Sequence, residues 1–285
     1  MTYASILAAV CGAPDDASAV AIGADLAARQ SALLKVLTAF SPVDSGAWAY
    51  GVGVPVLAAQ VVQALAQART DLEVQTRALV AHEAARFGLT CGTSGAGKWS
   101  MANDAPTAWL TLAHALPLTD LVVVAQSAAK EGPWTGVLSE ALMAARAPVL
   151  VARGGDSSFG RPAAVAWDDS LEAGRAMRAS IPLLKGASEV VILQDPEGLD
   201  PPGREGADPG RLIEYLGHHG VGPISVIKLK GRDEGSVLLH AASSAGAALL
   251  VAGAFGHARL REAVFGGATR SFLRADNGPH LLLCH

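Results

Sequence analysis

Aromatic residues are scarce in this 285-residue chain, at 5%, although 51% of it is hydrophobic. The core must then be built from Ala, Val and Leu, which suits closely packed helices and strands buried on both faces. Charged residues make up only 17% and the mean hydropathy is positive. That excludes an intrinsically disordered chain, which needs low hydrophobicity and high net charge. A basic excess is also missing: 22 Lys and Arg stand against 26 Asp and Glu, for a formal charge of −4. Nothing here can neutralise a phosphate backbone over a whole face, so nucleic acid is not expected as a partner. Cysteine is limited to Cys11, Cys91 and Cys284. Odd in number and far apart, they make neither a disulfide framework nor a zinc pattern, and they point to a reducing compartment. No apolar run reaches the roughly 18 residues of a membrane span, so no membrane partner is expected either.

The length fits one large domain or two small ones, at roughly 100–200 residues each. Leu7-Ala8-Ala9-Val10-Cys11 imitates the end of a lipoprotein signal, but no Lys or Arg precedes it and Val10 is bulkier than a cleavage site wants. The segment reads instead as a buried first strand.

The chain repeats one plan. Ser5–Val10 is a short apolar run followed by the turn cluster Gly12-Ala13-Pro14-Asp15-Asp16, and Ala163–Trp167 followed by Asp168-Asp169-Ser170 has the same shape. Helical stretches follow, Ala17 to Arg29 and Leu171 to Leu184; in the second, Ala173, Ala176, Met177, Ile181 and Leu184 share one face. Second apolar runs come next, Leu33–Phe40 and Val190–Leu193. The ends also correspond: Asp120–Val124 with Ala248–Ala252, and Pro148–Val151 with Pro279–Leu282. Continuous apolar runs alternating with helices predict parallel strands in doubly wound α/β units with right-handed crossovers. The expectation is two such units, 1–154 and 162–285, joined by the Gly/Ser-rich stretch Gly154–Pro162.

The segment richest in chemistry is Val251-Ala252-Gly253-Ala254-Phe255-Gly256, then His257 to Phe265, then Gly266-Gly267-Ala268-Thr269. It begins at the carboxyl end of a predicted strand, where open α/β sheets bind ligands, and ends at a helix from about Gly267 to Arg274. Glycines admit an anion close to the backbone, and a helix N-terminus supplies free N–H groups and a favourable dipole. Two glycines three apart are also what a tight strand-to-helix turn uses, and this chain has 31 glycines. His257, Arg259 and Arg261 lie between the glycine pairs. Cations there either meet triphosphate oxygens or belong to a solvated loop and helix face.

The spacing of Gly253, Gly256 and Gly266 resembles that of the universal stress protein family. Its nucleotide-binding members carry Gly, two residues, Gly, nine residues, then Gly followed by Ser, Thr or Asn. The run Gly256–Arg270 is similar to the C-terminal unit of bacterial tandem members, and Ala166-Trp167-Asp168-Asp169-Ser170 to the family's Val-Asp-Gly-Ser. The likeness is specific over 163–285 and one of layout over 1–154. It implies two tandem flavodoxin-like doubly wound units with mostly parallel five-stranded sheets. It also implies intrachain pairing of the units, with a homodimer as a further assembly, and a cytoplasmic role in stress survival. The ligand implied is ATP or a related adenine nucleotide, with or without Mg, bound by a regulatory protein. By position, Asp168 and the backbone of Ala166 would face the adenosine, Gly253 and Gly256 would line the loop, and Gly266, Gly267 and Ala268 would give N–H groups to the phosphates. One departure is that Gly267 stands where the family prefers a hydroxyl.

The first half differs. Cys11 aligns with Asp168, and Ala125 and Ala128 sit where Gly253 and Gly256 do. Its loop is three residues shorter, Ala125 to Gly136 spanning 11 positions against 14 from Gly253 to Gly267. An Ala costs about 1 kcal/mol or more at positive φ, and its Cβ obstructs close approach. This half is expected to be a degenerate support for its partner.

Other motifs carry less. Gly92-Thr93-Ser94-Gly95-Ala96-Gly97-Lys98 has P-loop spacing, but Trp99 replaces the required Ser or Thr and no helix pattern follows. Gly51-Val52-Gly53-Val54-Pro55 lacks the third glycine of a dinucleotide fingerprint, and Pro55 reads as the start of a helix to about Arg86. His82-Glu83 lacks a second zinc-binding histidine, and His218-His219 before Gly220 reads as a solvated helix end. No side chain stands out as a base to orient water, so catalytic residues and metal ligands are not assigned. A slow ATPase using the same loop, or a structural protein that has lost nucleotide binding, are the alternatives.

Overall fold

The computed structural model describes residues 2–39, 55–102, 108–130, 135–154, 159–195, 208–230, 234–254 and 267–285. Gly256, Gly266, His257, Arg259 and Arg261, with Gly51–Val54 and residues 155–158 of the Gly154–Pro162 linker, therefore lie outside the described residues. The chain forms two compact units, Tyr3–Leu138 and Ser139–His285.

The N-terminal unit runs β1 (Ser5–Val10), α1 (Asp16–Gln30), β2 (Leu33–Thr38), α2 (Pro55–Arg86), β3 (Thr90–Cys91), β4 (Lys98–Met101), α3 (Ala108–Ala115), β5 (Leu121–Ala125), α4 (Gln126–Lys130) and α5 (Thr135–Ser139), which ends at the unit boundary. Among the described residues its strands lie in the order β3-β4-β2-β1-β5, and the pairs β1–β2, β1–β5, β2–β4 and β3–β4 are parallel. Strand β1 is buried almost throughout because β2 and β5 flank it and α1 covers it. The helix comes close because Gly23 has no Cβ. One placed there would sit 3.1 Å from Leu34 Cδ1 and 3.4 Å from Ala8 Cβ.

The C-terminal unit contains β6 (Val149–Ala152), β7 (Ala163–Ala166), α6 (Leu171–Leu184), β8 (Val190–Gln194), α7 (Pro209–His218), β9 (Ile224–Lys228), α8 (Glu234–Ser244), β10 (Leu249–Gly253), α9 (Gly267–Arg274) and β11 (His280–Cys284). From β7 onward strand and helix alternate among the described residues, as the apolar runs predict. Its strands lie in the order β6-β11-β10-β7-β8-β9. The five from β7 to β11 are parallel, and β6 joins them antiparallel to β11 through Leu281↔Val151, Leu282↔Leu150 and Leu283↔Val149. The architecture is α/β with mostly parallel sheets and interleaved helices.

Strand order places the reversal of winding between β7 and β10, and between β1 and β5 in the other unit. The two reversals are equivalent in register. Ala163 pairs with Leu249 as Ile6 pairs with Leu121. Five residues beyond Ala163 and Ile6 lie Asp168 and Cys11, and four beyond Leu249 and Leu121 lie Gly253 and Ala125.

The sequence with P-loop spacing connects β3 to β4, where Lys98 Nζ donates to Thr90 Oγ1 at 2.7 Å. A strand follows it rather than a helix, so the N–H donors of a helix start are absent. Helix α2 does begin at Pro55 and end at Arg86. His219 follows α7 with its ring edge-on to Tyr215 at 4.7 Å, just before Gly220 at φ +71°.

Candidate functional site

The candidate site is the carboxyl edge of the sheet between β7 and β10. The chain leaves β7 through a turn that three polar residues build. Asp168 Oδ1 accepts from the backbone N–H of Ser170 at 2.9 Å, and Ser170 Oγ accepts from Ala173 N–H at 3.1 Å. The first bond tightens the turn, and the second caps an orphan donor of α6. Between them Asp169 has φ +60°, left-handed backbone that Asp tolerates better than most residues. This is the place held by Gly in the Val-Asp-Gly-Ser pattern. The Asp169 carboxylate faces Arg211 of α7, with Oδ1 to Nη1 at 3.7 Å.

Strand β10 brings the second part of the site alongside. Val251 pairs with Val165, so the same register puts Gly253 level with Trp167, one residue before Asp168. Gly253 is not in the left-handed region. A Cβ there would lie 2.7 Å from Ala173 N and 2.9 Å from both Glu172 C and Glu172 Cβ. The glycine therefore lets the end of β10 touch the backbone at the start of α6, a need that exists without any ligand. Beyond it, Ala254 N–H donates to Cys284 O at 2.7 Å, and Ala254 O lies 3.1 Å from His285 Nδ1.

Polar atoms are left over at this edge. Asp168 is half-buried, and its Oδ2 has no hydrogen-bond partner among the described residues. Trp167 buries its indole Nε1 without an acceptor there. Positive charge is also close. Arg178 and Arg175 on α6 pull the Cys284 thiol pKa down, against a larger upward push from burial that leaves it at about 12. At that value the thiol is protonated and unreactive at neutral pH.

Helix α9 begins at Gly267, with Ala268 half-buried and Thr269 buried. Its start is fixed by α8: a Cβ on Gly235 would meet Ser271 Cβ at 2.5 Å and Ala268 Cα and O at 3.0 Å. Gly235, Arg175 and Arg178 carry no motif. Only the helical spacing of the two arginines, three apart, hints that they share a face.

The N-terminal unit has different chemistry at the equivalent edge. Strand β5 passes straight into α4, with Ala125 and Ala128 buried, so no glycine loop opens there. Asp16 Oδ2 accepts from Cys11 N–H at 2.9 Å and Ala13 N–H at 2.8 Å, and Asp15 takes both the N–H and the hydroxyl of Ser127. The backbone donors of this edge are thus occupied by the chain's own carboxylates. Burial raises the Asp16 pKa to about 6, with Asp15 adding to the rise and the backbone donors opposing it. Burial, with Asp16 beside it, also pushes the Cys11 thiol far up. Among the described residues no cluster of three or more His, Cys, Asp or Glu could hold a metal ion, and no helix is long and apolar enough to cross a membrane.

No protein-family model matches this sequence, and no curated protein matches it. Solved structures do. A universal stress protein from Archaeoglobus fulgidus DSM 4304 superposes with a TM-score of 0.69 at 15% identity, covering 98% of this chain and 95% of that one. The fold is that of the universal stress proteins. A functionally unknown protein from Pseudomonas aeruginosa PAO1 shares it at a TM-score of 0.51 and 15% identity, over 99% of this chain and 92% of that one. In this fold Ala166 ends β7 and Gly253 ends the neighbouring β10 at the reversal of winding, with Asp168 two residues beyond Ala166.

Proposed function

We propose that this chain is a tandem universal stress protein of the cytoplasm, a regulatory binding protein whose C-terminal unit takes ATP or another adenine nucleotide. The observation that carries the reading is that Asp168 follows the end of β7 while Gly253 ends the neighbouring β10 across the reversal of winding, where an unpaired carboxylate oxygen and a buried, unpaired indole N–H remain. Ligands of open α/β sheets bind at this place. The leftover donor and acceptor fit a polar, aromatic ligand such as adenosine better than an apolar one. Asp168 and the backbone of Ala166 face the nucleoside in this reading. Gly253 and Gly256 line the loop, and the N–H groups of Gly266, Gly267 and Ala268 hold the phosphates with the help of the α9 dipole. Binding by backbone donors tolerates the missing hydroxyl at Gly267. The N-terminal unit takes no second nucleotide, because Asp15 and Asp16 already occupy its donors and would repel a phosphate.

The test is mass spectrometry of small molecules released from freshly purified, denatured protein, followed by titration with ATP. One nucleotide per chain is expected. At a hundredfold excess over Kd, binding should stabilise the fold by about 2.7 kcal/mol. Gly256→Val should remove that gain and leave the apo protein as stable as before. Nothing released, and no thermal shift in millimolar ATP, would refute the reading. It would favour an interaction protein without ligand, for which the packing of Gly253 on α6 already accounts for that glycine.

A further inference from the structure

Arg153 follows β6 and is 9% exposed, yet no carboxylate pairs with it among the described residues. Its two Nη groups are spent on carbonyl groups instead, while Nε is buried without a partner among the described residues. Nη2 donates to Phe272 O, and Nη1 donates to Pro279 O at 3.2 Å, while its backbone N–H donates to His280 Nδ1 at 3.0 Å. Space for the head group exists because residue 278 is a glycine: a Cβ there would lie 2.8 Å from Nη1. The ring of His280 is steadied in turn by Phe159, at 5.7 Å between centroids.

Phe272 O belongs to the last turn of α9, where carbonyl groups have no partner within the helix and the dipole is negative. A buried cation with no counter-ion is costly unless it meets such groups. The arginine is therefore a C-terminal clamp on α9. Buried Thr269, Phe272 and Leu273 hold the helix to the unit, and Gly235 packs against Ala268 and Ser271 near its start. A helix of eight residues has almost no stability of its own, so these contacts together set where its first N–H groups point, and Arg153 is the one that holds its C-terminal carbonyl end.

We infer that Arg153 is a positioning residue for the nucleotide site: by clamping the C-terminal end of α9 it aims the N–H groups of Gly267 and Ala268. The inference rests on the nucleotide reading above. It ties the end of β6, far from Gly267 in sequence, to the phosphate-binding end of the last helix.

The experiment compares Arg153→Met, which keeps the length and loses every donor, with Arg153→Lys, which reaches one carbonyl at a time. Ile192→Val in buried β8 serves as a destabilised control remote from the clamp. ATP affinity is read by calorimetry, and amide exchange is read peptide by peptide in the apo protein. Arg153→Met should weaken ATP binding about tenfold and speed exchange selectively over 267–274, with Arg153→Lys between it and the parent. Ile192→Val should lower global stability while changing Kd less than twofold. An affinity loss in Arg153→Met no larger than the control's, or unchanged exchange over 267–274, would overturn the inference. If the parent protein binds no ATP, the nucleotide reading fails on its own. The clamp is then judged by exchange alone: selective opening of α9 upholds it, and uniform opening sinks it.

Discussion

Asp16 makes a quantitative test of how the N-terminal unit is built. Its carboxyl is 5% exposed; Oδ2 holds two backbone N–H groups, and Oδ1 is buried with no partner. The folded pKa of about 6 exceeds the ordinary 3.8, so between these values the native state keeps a proton that the unfolded chain has released. Stability linked to this group is then fully present below about pH 4 and lost as pH rises through about 6. Two pKa units at 1.36 kcal/mol each give about 3 kcal/mol as the upper size of the loss. Asp16→Asn removes the titration but leaves a carbonyl oxygen to accept from Cys11 and Ala13. Its amide replaces the unpaired Oδ1, at a cost of about 1–3 kcal/mol that is the same at every pH. The stability difference, Asn minus Asp, should therefore move in favour of Asn by up to about 3 kcal/mol between pH 4 and pH 7, whatever its starting value. Comparing the two proteins cancels every other carboxylate. Native-state exchange of β1 and α1 amides across this pH range reads the N-terminal unit alone. A difference that stays flat with pH would show that Asp16 titrates normally and that burial does not control it.

Further outcomes follow from the other unit. Gly253→Ala should destabilise it by about 1–3 kcal/mol in chemical denaturation even without nucleotide, because the new Cβ meets helix backbone rather than a side chain that can swing away. Ser170→Ala should cost about 1 kcal/mol by freeing the Ala173 N–H, seen as faster exchange at the start of α6. Asp169→Val should cost about 1–2 kcal/mol, as a branched side chain is forced to φ +60°. Asp169→Gly should stay within about 1 kcal/mol of the parent, because relief of that strain offsets glycine's greater unfolded entropy and the loss of a weak, exposed pair with Arg211. Thermal or urea melting distinguishes these two variants, and equal losses in both would refute the left-handed assignment.

The alternation of strand and helix was legible because burial on both faces demands unbroken apolar runs such as Leu121–Val124 and Leu281–Leu283, while helices need a 3.6-residue stripe. Ends were legible where a residue type acts locally: Pro55 opens α2, Ser170 caps α6, and Gly220 follows α7. Strand β3 was not, since Thr90 and Cys91 are both exposed and two residues make no period. The antiparallel direction of β6 against β11 left no mark either, because Val149–Ala152 is as apolar as any parallel strand.

For the candidate site, the residue types at Asp168 and Gly253 were readable in the linear order, as was a helix beginning at Gly267. Their neighbourhood was not: that Gly253 stands level with Trp167 is a matter of register between strands more than eighty positions apart. Sequence alone determined most of the strands and helices, and where the chain would turn with glycine and aspartate, because those choices are made by local sterics and hydrophobic period. Only the tertiary structure decided why Gly253 and Gly235 must be glycine, why Arg153 is buried on carbonyl groups, and why the Asp16 pKa is raised to about 6. Each depends on the distance to atoms from remote segments, and those distances exist only once the layers have packed.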